Sequence, residues 1–208
     1  MTGHPDWLVP DWEAPRVGAL MTTRMGGASA QPFGTMNLRD EVGDDPGAVA
    51  ANRQLLAASV GSPPLFGTQV HGARVVRLRR SDANAGGVLH DADASITTDS
   101  GLACAVQVAD CLPVLFAGPE GKVVGAAHAG WRGLSQGVLE ATVSAMCEAA
   151  RCEPEDVQAW LGPCIGPRQF DRDREACLSR RQARAEPSAE QRRRLSDGYG
   201  DGRYRCQG

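Results

Sequence analysis

Apolar residues along this chain fall into two spacings. Between residues 74 and 127 they come in short runs of strand length, at 74–78, 94–97, 102–108, 112–116 and 123–127, separated by Gly, Asp and Pro. On either side the period becomes helical. Asp44-Asp45-Pro46 sets a capping carboxylate ahead of a proline suited to the first helical turn, and Val49, Leu56 and Val60 recur on one face until Gly61. A second helix is expected over 134–149, with Leu134, Val138, Ala141, Ala145 and Met146 on one face and Cys152-Glu153-Pro154 stopping it. Asp110 and Pro113 break 102–116 too often for one helix. The pattern predicts an α+β (mixed α/β) fold, a single domain of sheets flanked by helices.

Composition narrows the class. At 208 residues the chain supports one sizeable core. It shows neither an export signal nor an apolar run long enough for a bilayer span, so a cytoplasmic protein without a membrane partner is expected. Seven cysteines without a Cys-x-x-Cys pair suit reduced thiols. After residue 170 ten arginines stand against seven acidic residues, while twelve basic and eighteen acidic residues precede them. The acidic body has no basic stripe and the Arg-rich tail has only two aromatics, Tyr199 and Tyr204, which argues against nucleic acid. Residues 171–208 are expected to be a disordered or loosely helical tail to a domain over 1–170.

Three residues carry the chemistry. His71 lies in Gly67-Thr68-Gln69-Val70-His71-Gly72, Cys111 in Ala109-Asp110-Cys111-Leu112-Pro113, and His128 in Ala126-Ala127-His128-Ala129-Gly130-Trp131-Arg132-Gly133. A His, Cys, His set suits Zn²⁺, with copper as the other candidate, and three protein ligands leave a catalytic position open. Separations of forty and seventeen residues exclude a finger or ribbon, so the tertiary fold must bring the set together. His128 closes an apolar run just before a helix, where α/β proteins gather ligands. Taken singly, Cys111 reads as a packed thiol and each histidine as a structural one. His4 and His90 read as surface residues, and Cys164 as either a turn or a site-lining residue. Asp91 and Asp93 read as turn formers before second-shell carboxylates, and Gly26-Gly27 as a turn before a phosphate cradle.

These motifs resemble the YfiH-like family, also described as multicopper polyphenol oxidase or laccase-domain proteins and associated with purine nucleoside phosphorolysis and adenosine deamination. The resemblance rests on Thr23-Arg24-Met25-Gly26-Gly27-Ala28-Ser29, Met36-Asn37-Leu38, Val42-Gly43-Asp44-Asp45-Pro46, Asn52-Arg53, Gln69-Val70-His71-Gly72, Asp91-Ala92-Asp93-Ala94, Ala109-Asp110-Cys111, His128-Ala129-Gly130-Trp131-Arg132-Gly133 and Leu161-Gly162-Pro163-Cys164-Ile165-Gly166-Pro167. Their order agrees with the family over 17–170, whereas 171–208 departs from the apolar helix and closing strand of its members. The resemblance implies layered mixed sheets covered by helices and a metal held by His71, Cys111 and His128.

It further implies phosphorolysis of adenosine, inosine or methylthioadenosine to free base and ribose 1-phosphate, with deamination of adenosine to inosine. The partners are then a purine nucleoside and phosphate. Arg24, in a Gly-rich turn, and Arg132, at a helix start, are the expected phosphate ligands, and Asp110 the expected acid/base or ligand-orienting carboxylate. Four histidines are too few for a multicopper cluster. Three further readings stay open: a single-copper polyphenol oxidase, a cysteine hydrolase (amidase) with Cys111 as nucleophile and His128 as base, and a non-enzymatic remnant.

Overall fold

In a computed structural model, which describes residues 3–14, 16–84 and 91–170, the elements follow in the order α1 (Pro46–Val60), β1 (Pro64–Phe66), β2 (Val75–Leu78), α2 (Arg80–Asn84), β3 (Ala94–Thr97), β4 (Ala103–Ala105), β5 (Leu112–Ala117), β6 (Val124–Ala129), α3 (Trp131–Ser135), α4 (Val138–Ala150) and β7 (Gln158–Leu161). The fold is mixed α/β, as expected. The tail beyond residue 170 and His90 lie outside the described residues.

Local chemistry fixes α1 at both ends. The Asp45 carboxylate accepts the Ala48 N–H at 2.9 Å, and Gly61 at φ +80 closes the helix by donating to the Ala57 carbonyl. The expected helix over 134–149 is two helices instead. The chain turns at Gly137, whose φ of +83 suits a residue without Cβ, and the Gln136 N–H is spent on the Arg132 and Gly133 carbonyls. The apolar run at 102–108 yields only the three residues of β4, because beyond it the Gln107 N–H bonds to the Gln69 side chain rather than to a strand.

Residues through Cys164 form one compact unit. Its main sheet has the order β2-β3-β6-β5-β7, parallel between β2 and β3 and antiparallel elsewhere, while β1 and β4 pair in parallel as a second, two-stranded sheet. Val138 and Met146 of α4 bury against Ala94, Ile96, Val114, Phe116 and Ala127 of the main sheet. A smaller cluster of Trp7, Met36 and Leu56, with Leu20, Leu38, Val60 and Phe66, packs α1 beside β1. Buried Asn52 on α1 accepts from the Ala28 N–H and donates to Ser29 Oγ and the Thr35 and Asn37 carbonyls, fixing the segment that holds Gly26-Gly27. Residues 165–170 belong to a second unit, in which the Gln169 and Phe170 N–H groups donate to the Gly166 carbonyl.

Candidate metal centre

Strand register brings two of the three candidate ligands together. In the β5–β6 pair Leu112 faces Ala129 and Pro113 faces His128, so Cys111, one residue ahead of β5, falls beside Gly130. His71 arrives on the loop that follows β1. Its Nε2 lies 3.8 Å from Cys111 Sγ, its ring meets that of His128 edge-on with centroids 4.7 Å apart, and one ligand atom from each residue lies within 4.8 Å of the others. Tetrahedral zinc with ordinary bond lengths holds nitrogen and sulfur about 3.5 Å apart, so the His71–Cys111 pair is already close to that spacing and the widest pair of the set would close by about 1 Å around an ion. Gly130 leaves the room for it: a Cβ there would stand 2.9 Å from His71 Cδ2 and 3.0 Å from Cys111 Sγ.

Behind the ligands lies the Asp93 carboxylate, 0 % exposed. It accepts the backbone N–H groups of Val70, His71 and Gly72 at 3.2, 2.9 and 2.8 Å, and it meets His128 Nδ1 at 2.8 Å. A carboxylate only accepts, so the proton sits on Nδ1 and the Nε2 lone pair of His128 is left free, as a metal ligand requires. The three N–H bonds also hold His71 at φ +61, a left-handed conformation costing a non-glycine residue about 1–3 kcal/mol. Of the two aspartates in the motif, buried Asp93 is thus the one that backs the His128 imidazole, and exposed Asp91, at φ +33, is the turn residue.

Burial, then the neighbouring His128, pull the His71 pKa down, with Arg132 and Arg39 adding to the effect. His71 is therefore a neutral imidazole at pH 7, the form that ligates. Burial pushes the Cys111 thiol up, and the nearby charges of Asp110, Asp93 and Cys164 add to it. A raised thiol is a poor free nucleophile, whereas a metal removes its proton outright.

The remaining candidates divide. Arg132 lies on α3 with its guanidinium 5.2 Å from the Trp131 ring, near enough for its charge to act on His71. Arg24 donates from Nη2 to the Pro32 carbonyl at 2.7 Å, and no contact joins it to the three ligands among the described residues. The Asp110 carboxylate is exposed and meets neither histidine; Asp93 does the orienting assigned to Asp110 from sequence. Cys164 is exposed at the same edge as Cys111. His4 sits 3.7 Å from Asp6, away from the set. Sequence reasoning missed Arg39, which directly follows Met36-Asn37-Leu38 and whose charge reaches His71. The one signal for it was its place beside that motif.

A model of the family described as multi-copper polyphenol oxidoreductase laccase matches residues 18–205. The chain belongs to this family. Among its relatives, a purine nucleoside phosphorylase of Pseudomonas aeruginosa is 48% identical over 166 residues, covering 79% of this chain and 64% of that protein. The purine nucleoside phosphorylase YfiH of Escherichia coli is 46% identical over 167 residues, covering 79% and 65%. The crystal structure of a Neisseria meningitidis protein superposes with a TM-score of 0.70 at 44% identity, covering 77% of this chain and 64% of that one. The chain thus spans just under two thirds of the length of the curated relatives it matches. Among the described residues, the one cluster able to hold a metal is His71, Cys111 and His128. No described helix is long and apolar enough to cross a membrane.

Proposed function

We propose that this protein is a metal-dependent purine nucleoside phosphorylase, with zinc held by His71, Cys111 and His128. The observation that carries the reading is the ligand set itself: three donor atoms within 4.8 Å of one another, backed by a buried carboxylate on one of the imidazoles. The names of the relatives supply the substrate class. When bound, zinc supplies a Lewis acid that polarises the reacting group or activates water.

The chain's own residues supply the rest. Asp93 fixes His128 and His71. Arg132 and Arg39, whose charges both reach His71, attract phosphate and balance its charge, with Arg24 as an outer candidate. Trp131 is 60 % exposed directly after Gly130, and Val70, also exposed, precedes His71, so apolar surface borders the ligands where a purine would stack. Asp110, exposed beside Cys111, is the candidate to exchange a proton with the departing base. The phosphorolysis transfers the sugar to phosphate, ribose from adenosine or inosine and methylthioribose from methylthioadenosine, and releases the purine base; hydrolytic deamination of adenosine to inosine is the second activity proposed for the site.

The test is elemental analysis of the purified protein and of Cys111→Ala, followed by incubation with adenosine and phosphate and chromatography of the products. Zinc together with adenine or inosine, both lost in the variant, supports the reading. Neither metal nor product would favour the cysteine hydrolase or a remnant; thiol alkylation with and without zinc separates the hydrolase from the metal reading, because a metal-bound thiolate is protected, and the imidazole in contact with Cys111 is that of His71. A copper-loaded protein that oxidises phenols would favour the polyphenol oxidase.

A further inference from the structure

Two glutamines join the segments that carry the ligands. The Gln69 side chain, two residues before His71, pairs with both backbone groups of Gln107, four residues before Cys111: Nε2 donates to the Gln107 carbonyl at 2.7 Å and Oε1 accepts its N–H at 2.7 Å. A carboxamide presents a donor and an acceptor in one plane, as a peptide group does, so Gln69 stands in for a missing strand partner. The Gln107 side chain then donates to the Leu38 carbonyl at 2.7 Å, the carbonyl that also accepts from Arg53 Nε at 2.9 Å. His71 is therefore gripped from two sides, by Asp93 through the backbone of 70–72 and by the Gln69 amide from the side of Cys111.

We infer that Gln69 is a positioning residue that sets the spacing of His71 and Cys111, and so the affinity of the site for zinc, through its two bonds to the Gln107 backbone. The inference rests on the metal reading above. Asp93 alone does not fix that spacing, because it is bonded to the His71 loop and to His128 but not to the segment that carries Cys111. The Gln107 side chain plays a separate part, tying the pair to the segment that precedes Arg39.

The test compares zinc affinity, by competition with a chromophoric chelator, and the visible spectrum of the cobalt-substituted protein in wild type, Gln69→Met and Gln107→Ala. Gln69→Met keeps the length of the side chain and removes both bonds. It is expected to weaken zinc binding about 10–100-fold, as loss of outer-shell support does, and to diminish the tetrahedral cobalt bands, with the metal-free melting temperature little changed. Gln107→Ala keeps both backbone bonds and is expected to bind zinc as wild type does. Where Gln69→Met does not fold, Gln69→Glu, which keeps the acceptor for the Gln107 N–H, is expected to show an intermediate affinity. Wild-type affinity in a Gln69 variant, or equal losses in Gln69→Met and Gln107→Ala, would overturn the assignment. A wild-type protein that takes up no zinc would defeat the metal reading itself, an outcome seen before any variant is made.

Discussion

The His128 Nδ1–H donates to Asp93 Oδ1 at 2.8 Å, and the same carboxylate holds three successive N–H groups of the loop that carries His71. One buried anion thereby orients a ligand on a strand and a ligand on a loop. The arrangement fixes both imidazoles in place without a metal.

Removing that anion should cost both stability and affinity. Asp93→Ala leaves three backbone donors and a ring N–H without an acceptor, each costing about 1–3 kcal/mol if it stays buried and dry. Asp93→Asn keeps an acceptor but loses the charge, and should lower zinc affinity about 10–100-fold. Urea titration and chelator competition check the two. Unchanged affinity in Asp93→Asn would contradict the orienting role.

Gly130→Ala should separate metal binding from folding. The backbone there, at φ −68 and ψ 161, suits any residue, but the added methyl enters the ligand set against His71 and Cys111. Zinc uptake should fall by more than tenfold while the metal-free melting temperature stays close to wild type. A variant that binds zinc normally would show that the ligands lie elsewhere.

Chelation should lower the melting temperature. A ligand present at a thousand times its dissociation constant stabilises the native state by about 4 kcal/mol. For a domain of this size that is roughly 8–16 °C. Calorimetry with and without chelator measures it, and Cys111→Ala should melt at one temperature in both conditions.

Cys104 predicts a loss of stability in alkali. Burial beside the Val124 carbonyl pushes its thiol up from 9.0 to about 12, with the Ser95 hydroxyl opposing. Below pH 9 the thiol is protonated in both folded and unfolded chains. Between pH 9 and 12 only the unfolded chain ionises, so stability should fall by about 1.4 kcal/mol per pH unit through that window. Urea midpoints of wild type and Cys104→Ala across it should diverge, and parallel curves would contradict the assignment.

What could be read from the sequence was local. Asp45, Pro46 and Gly61 announce α1 because caps act within a few residues, and the apolar runs placed β3, β5 and β6 within two residues of their observed bounds. β7 was missed because its apolar run, Ala159-Trp160-Leu161, is only three residues long before Gly162-Pro163 and lies largely on the surface. The break at Gly137 was hidden inside an unbroken helical pattern. Most of all, Asp93 looked like a turn residue because its bonds reach 21 to 35 residues along the chain, a relation that no spacing reveals. Gln69 and Gln107, 38 residues apart, were hidden for the same reason.

The most direct test of the account is the metal content of purified protein by elemental analysis, measured beside Cys111→Ala. About one zinc per chain is expected in the wild type and none in the variant. Zinc retained in full by Cys111→Ala, or missing from a folded wild type after incubation with the ion, would contradict it.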